Sequence, residues 1–248
     1  MPEKIKDTFS VKKKNFIDKM SIQEEVLTTK LILVIVANTL DPESGKGCRE
    51  DIKSIRHMFK ELSHHMKFNF LELLVHEEDY SKKNVQDAIE ILTPGNNDIV
   101  VFYYSGHGFS FTKDAAKRYP QVDLRSHNAS NTIAVIKENT HNLMELFELI
   151  KSRGGRLNIV IGDCCNNRIK IKRNFTGGDH AVRTAERPVM NINKKMCETL
   201  FCDYTASILI AAADKGQFAV SDDELGSIFT FNFTNNFFVF QLKKRSRY

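Results

Sequence analysis

Residues 31–37 read Leu-Ile-Leu-Val-Ile-Val-Ala, an apolar run with no polar interruption. A strand with one wet face would alternate apolar and polar side chains, so this run suits a strand buried on both faces of a parallel sheet. Parallel strands need long crossovers, which implies helices packed above and below. Four further segments read as strands: Phe68–Val75, Ile99–Tyr104, Leu157–Ile161 and Ile208–Ala213. Helical spacing fills the gaps. Ile52, Ile55, Phe59 and Leu62 recur on one stripe, and Leu143, Leu146, Phe147 and Ile150 on another that ends at Gly154-Gly155. Ser81 with Asn84 opens a short helix carrying Val85, Ile89 and Leu92, and Pro94-Gly95 stops it. Ile228–Leu242 reads as a closing helix, although its aromatics also suit a strand. Alternating strands and helices joined by right-handed crossovers predict a three-layer α/β/α sandwich with a mostly parallel central sheet.

The chain of 248 residues is the size of one such domain. Residues 1–30 are polar and basic and read as an N-terminal extension, a helix lying on the domain; residues 31–248 are the domain itself. Asn38–Gly47 and Phe109–Asn131 read as loops. Residues 166–202, broken by Gly177-Gly178 and Pro188, read as a long mobile linker, and segments of that size are usually functional. No apolar run reaches the 18 or so residues of a membrane span, and no secretory leader is visible. Five cysteines do not suggest a disulfide framework, so a reducing, cytoplasmic setting is expected. The net charge of +5 comes from scattered clusters without aromatic interleaving, which argues against nucleic acid as a partner.

Two motifs close apolar runs. Tyr103-Tyr104-Ser105-Gly106-His107-Gly108 ends the third strand, and Gly162-Asp163-Cys164-Cys165-Asn166 ends the fourth. Open α/β sheets place their sites at such strand ends. A cysteine thiolate attacks carbonyl carbon, and a nearby imidazole takes and returns the proton, so the two motifs supply the parts of a cysteine nucleophile and its base. Strand alternation turns Cys164 and Cys165 to opposite sides. The Cys-Cys pair and His64-His65 do not match zinc-ligand spacing, and no cofactor or metal motif is present.

These residues resemble the caspase-like cysteine peptidases, the group of caspases, metacaspases and clostripain-like enzymes, with the metacaspase-like bacterial-type members nearest. Ser105-Gly106-His107-Gly108 matches their Ser-Gly-His-Gly, Asp163-Cys164-Cys165 the metacaspase Asp-x-Cys, and Gly47-Cys48-Arg49-Glu50-Asp51 the Gly-Cys-x-x-Asp after the first strand. His107 and Cys165 lie 58 positions apart (165 − 107), near the roughly 50 of caspases. Ile208–Ala213 and Gly226–Thr230 resemble the late strand and helix start of the fold, so the likeness covers about residues 31–240.

The resemblance implies a Cys–His dyad with Cys165 as nucleophile and His107 as base and acid. It implies an oxyanion hole from the backbone amides of Gly108 and Cys165, and an acyl-enzyme intermediate. No acidic partner for His107 is evident in the sequence, and a dyad requires none. The resemblance also implies a substrate pocket from Cys48, Asp51, Ser105 and Asp163. Two carboxylates there would pair Arg or Lys before the cut bond, and the basic residues of the linker would allow self-processing. The expected partners are therefore proteins or peptides with Arg or Lys before the cut. Two departures stand out: Asn166-Asn167-Arg168 replaces the His-Ser-Gly usual after the cysteine, and the acid-rich calcium segment is missing. The alternative is a non-catalytic caspase-like module that binds or scaffolds.

Overall fold

The computed structural model describes residues 3–21, 28–111, 117–168 and 194–239. Helix α1 (Glu3–Ser21) precedes β1 (Lys30–Ala37), α2 (Gly45–Met66), β2 (Asn69–Val75), α3 (Lys82–Glu90) and β3 (Ile99–Ser105). Short strands β4 (Gly108–Phe109) and β5 (Gln121–Asp123) follow, then α4 (Ile133–Glu138), β6 (Thr140–Asn142) and α5 (Leu143–Ser152). The chain continues as β7 (Leu157–Asp163), α6 (Lys194–Glu198), a π-helical turn at Thr199–Asp203, β8 (Ala206–Ala211), β9 (Ser221–Asp222), β10 (Gly226–Ser227) and α7 (Ile228–Val239).

The central sheet has the order β2-β1-β3-β7-β8, and every pairing in it is parallel. All residues of β3 and β7 are buried, as their continuous apolar runs require, whereas β8 at the edge is half-buried throughout. One face packs Ile52, Ile55, Met58, Phe59 and Leu62 of α2, with Phe201, against Leu33, Val101 and Ile159. The other face carries Val85 and Ile89 of α3, Leu146 and Ile150 of α5, and Phe9, Phe16 and Met20 of α1, against Val34, Phe102 and Val160. Burying each such side chain contributes about 1.5–3 kcal/mol before chain entropy is charged against it. The result is the three-layer α/β/α sandwich.

Local signals set the helix starts. Ser81 Oγ accepts from Asn84 N at 3.2 Å to cap α3, and the Asn142 side chain accepts from Met144 N at 3.0 Å to cap α5. Strand order reverses around β1, which sends its chain outward to β2 and has β3 on its other side. The carboxyl ends of β1 and β3 therefore flank a crevice of the kind that holds sites in open α/β sheets.

Two segments differ from the sequence expectation, and a third keeps the helix expected of it. Phe109–Asn131, expected as loop, contributes β4 and β5 to a small antiparallel sheet with β6. These strands are two and three residues long, too short for a period to show. The closing segment is helical, which resolves the helix-or-strand ambiguity of its aromatics. Of the stretch 166–202, residues 169–193 lie outside the described residues. Its end is structured, with Cys197 in α6 and the adjoining Phe201 both buried against the α2 face.

Candidate active site

β3 and β7 pair with Ile99 opposite Leu157 and Ser105 opposite Asp163, a constant offset of 58 (157 − 99 and 163 − 105). The offset outlasts the strands, because Ser110 bridges Arg168 in the same parallel sense. Gly106 N donates to Asp163 O at 3.3 Å, Ser110 N to Asn167 O at 2.9 Å, and Ser110 Oγ to Asn166 O at 3.1 Å. His107 and Cys165 carry the same offset and so occupy matching positions on two adjacent strand extensions. Their spacing in the chain is the register of the sheet.

Gly108 shows how close the extensions run. A Cβ built there would lie 2.5 Å from both Cys164 Sγ and Cys165 O, so only glycine fits without moving the cysteine loop. Asp123 N donates to His107 O at 3.0 Å, and antiparallel alternation then turns the Gly108 N–H away from β5. The Cys165 N–H donates no hydrogen bond among the described residues.

The two cysteines separate as alternation predicts. Cys164 is fully buried among core side chains, and that burial pushes its thiol well above the ordinary value. Cys165 is half-buried at the end of β7. Its Sγ accepts from Ala219 N at 3.4 Å and lies 3.6 Å from Ala219 O. Burial pushes this thiol up, the Ala219 N–H opposes the rise, and the charge of Asp163 adds to it. No hydrogen bond joins His107 to Cys165 among the described residues. Such contacts are often long in an unliganded site and tighten with substrate.

His107 is held from two sides. Tyr104 OH donates to its backbone carbonyl at 2.7 Å, and Asp41 Oδ1 lies 3.1 Å from its Nε2. The hydrogen bond to Asp41 lifts the imidazole above its ordinary value against the burial that would lower it. Burial would lift Asp41 in turn, but His107 and the two donors of Ser44 override it and hold the carboxyl well below the usual range. The sequence expectation that His107 has no acidic partner is therefore corrected.

Asp163, two residues before Cys165, forms a buried carboxylate cluster with Asp51, 4% and 1% exposed. Asp51 accepts from Ser105 Oγ at 2.7 Å and Ser227 N at 2.7 Å. Asp163 accepts from Ser227 Oγ at 2.8 Å, Thr230 Oγ1 at 2.6 Å and Tyr103 OH at 3.3 Å. Cys48 Sγ lies 3.3 Å from Ser105 Oγ. Burial first, and then the charge of Asp163, pushes Asp51 up to about 7, and burial raises Asp163 as well. Burial likewise pushes the Cys48 thiol up to about 12. Among the described residues no Lys or Arg forms an ion pair with either carboxylate. Gly226, at φ +80, brings its Cα against Asp51 where a side chain would collide.

A family model of the caspase domain, Peptidase C14, matches residues 29–239. The chain belongs to the caspase-domain family. Members of that family are generally cysteine peptidases. No curated protein matches the chain. Among solved structures, protein GSU0716 from Geobacter sulfurreducens is 18% identical over 55% of this chain, with a TM-score of 0.37. The chain spans 50% of the length of that structure.

Within this caspase domain, the residues singled out from sequence fall into two groups. His107, Gly108 and Cys165 lie at matching positions past the β3 and β7 ends; Cys48, Asp51, Ser105 and Asp163 form a second, buried group. Sequence reasoning missed Asp41, Tyr103, Ser227 and Thr230 as members of these groups. Asp41-Pro42 was legible only as a turn, although its place just past the first strand was a usable signal. Ser227 and Thr230 stood in a segment noted only for its likeness to a helix start.

Proposed function

We propose that this caspase domain is a metacaspase-like cysteine endopeptidase that cuts after Arg or Lys. The observation that carries the reading is the shared register of His107 and Cys165, alongside two buried carboxylates that no Lys or Arg among the described residues neutralises.

The chemistry follows from the placement. Cys165 Sγ attacks the carbonyl carbon of the bond to be cut while His107 takes the thiol proton. The N–H groups of Gly108 and Cys165, which are not committed to the neighbouring strands, stabilise the oxyanion. One such donor contributes about 2.7–4 kcal/mol to transition-state stabilisation. The C–N bond breaks as His107 returns the proton to the leaving amine, leaving a thioester on Cys165. Water, deprotonated by His107, then releases the acid and restores the thiol.

Specificity follows from charge. Among the described residues Asp51 and Asp163 have hydroxyl and amide donors but no counter-ion, and a guanidinium or ammonium entering from the cysteine would supply one. Arg matches a pair of carboxylates better than Lys, because its planar fork donates to two acceptors at once. Self-processing within 166–202 belongs to the same reading, since Arg168, Lys170, Lys172, Arg173, Arg183 and Arg187 lie there.

A mixed peptide library profiled with native protein and with Cys165→Ala tests this. Cleavage after Arg or Lys that vanishes in the variant is the expected result. Cleavage after Asp would overturn the pocket assignment, and absence of cleavage by the native protein would favour the non-catalytic module.

A further inference from the structure

We propose that Asp41 is a positioning residue for His107, fixing the ring through Nε2 so that Nδ1 is the nitrogen that exchanges a proton with Cys165. The proposal rests on the peptidase reading above and extends the Cys–His pair to three residues.

Asp41 is built into its place. Its Oδ1 accepts from Glu43 N at 3.0 Å, from Ser44 N at 2.8 Å and from Ser44 Oγ at 2.8 Å, and its backbone carbonyl accepts from Gly45 N at 2.9 Å. Those contacts set the carboxylate at the N-terminus of α2, where the helix dipole favours negative charge. Asn38 N donates to Ser105 O at 3.0 Å and ties the same loop to the end of β3. The side chain of Asp41 is only 17% exposed, so water competes weakly for it.

His107 has little freedom left apart from its ring torsions. Tyr104 OH and Asp123 N both hold its carbonyl. A neutral imidazole that donates Nε2–H carries its lone pair on Nδ1, so the partner of one nitrogen decides the task of the other. When Nδ1 takes the thiol proton, the ring becomes a cation with the Asp41 carboxylate 3.1 Å away.

The other charged groups that act on the ring are Asp123 of β5 and Glu43 of the Asp41 loop. Asp123 is already neutralised by Arg125, whose Nη2 and Nε lie 2.6 and 2.9 Å from its oxygens. Glu43 acts on the ring through space alone. Asp41 is the carboxylate in contact with the ring, and its pairing with His107 raises the imidazole above its ordinary value.

The test is Asp41→Asn, which keeps an acceptor for Glu43 and Ser44 and so preserves the loop. The His107 ring is titrated by NMR in the Cys165→Ala background, with and without Asp41→Asn, and kcat and KM are measured with Cys165 intact. The expected ring pKa lies above the ordinary value of about 6.5 with Asp41 present and falls with Asn. The expected kcat falls about tenfold to a hundredfold with KM within about twofold, a milder form of the loss seen when an orienting carboxylate is amidated in a serine triad. A ring pKa that does not move, or one that moves while kcat holds, overturns the proposal. A shifted ring pKa in a protein without peptidase activity overturns the peptidase reading and leaves the Asp41–His107 pairing standing.

Discussion

Binding of a basic side chain should release a proton from the Asp51–Asp163 cluster. In the free protein Asp51 is raised to about 7, chiefly by burial and then by the charge of Asp163, so near neutrality the pair holds a proton for part of the time. A guanidinium in the pocket favours the fully ionised pair and expels that proton. Below about pH 7 each further unit should weaken binding by up to about tenfold, because the ionised fraction falls tenfold per unit; above it affinity should level off. Affinity for an Arg peptide should thus rise about fivefold between pH 6 and pH 7 and change little from pH 8 to 9. Fluorescence anisotropy with Cys165→Ala measures this without cleavage. A citrulline peptide of the same shape serves as control, since it carries no charge to stabilise the ionised pair. A flat profile for the Arg peptide, or an equal slope for citrulline, would refute the reasoning.

Three further outcomes follow from the same geometry. Gly108→Ala places a methyl 2.5 Å from Cys164 Sγ and Cys165 O, and relief to the ordinary 3.4 Å needs a shift of about 0.9 Å (3.4 − 2.5) between the two catalytic loops. A displacement of that size costs on the order of a hundredfold in turnover, so kcat within threefold of native would show that the loops yield elsewhere. Asp51→Asn should gain stability relative to native as pH rises from 5 to 8. The native carboxyl is raised above its unfolded value of about 3.9, so the stability it contributes is present below that value and lost as pH rises through about 7. A melting-temperature difference that is the same at both pH values would contradict this. Cys165→Ala should lower turnover by roughly three orders of magnitude or more, while Cys164→Ala, which opens a small cavity in the core, should keep most activity and lose some stability. The reverse pattern in peptide hydrolysis would move the nucleophile to Cys164.

The sheet was legible because its strands are buried on both faces. Runs such as Leu31–Ala37 and Ile99–Tyr104 admit few other readings, and all five strands begin and end within about two residues of their expected bounds. The pairing of His107 with Cys165 was legible as two motifs at strand ends, but not as a register. The constant offset emerges only when β3 and β7 are known to be neighbours. Asp41, Ser227 and Thr230 escaped for a related reason. Their roles come from β1, β10 and α7 meeting at one end of the sheet, contacts between residues as much as 176 positions apart that no local pattern encodes. Short strands β4 and β5 escaped because two or three residues cannot display a period.

The central claim is that Cys165 is a nucleophile set above a pocket for a basic side chain. Incubation with an Arg-chloromethylketone peptide, followed by peptide mapping of the adduct by mass spectrometry, tests both halves at once. One adduct is expected, on Cys165, formed much faster than with the matching Asp reagent and slowed by Asp163→Asn. An adduct on exposed Cys202, or equal rates for the Arg and Asp reagents, would contradict it.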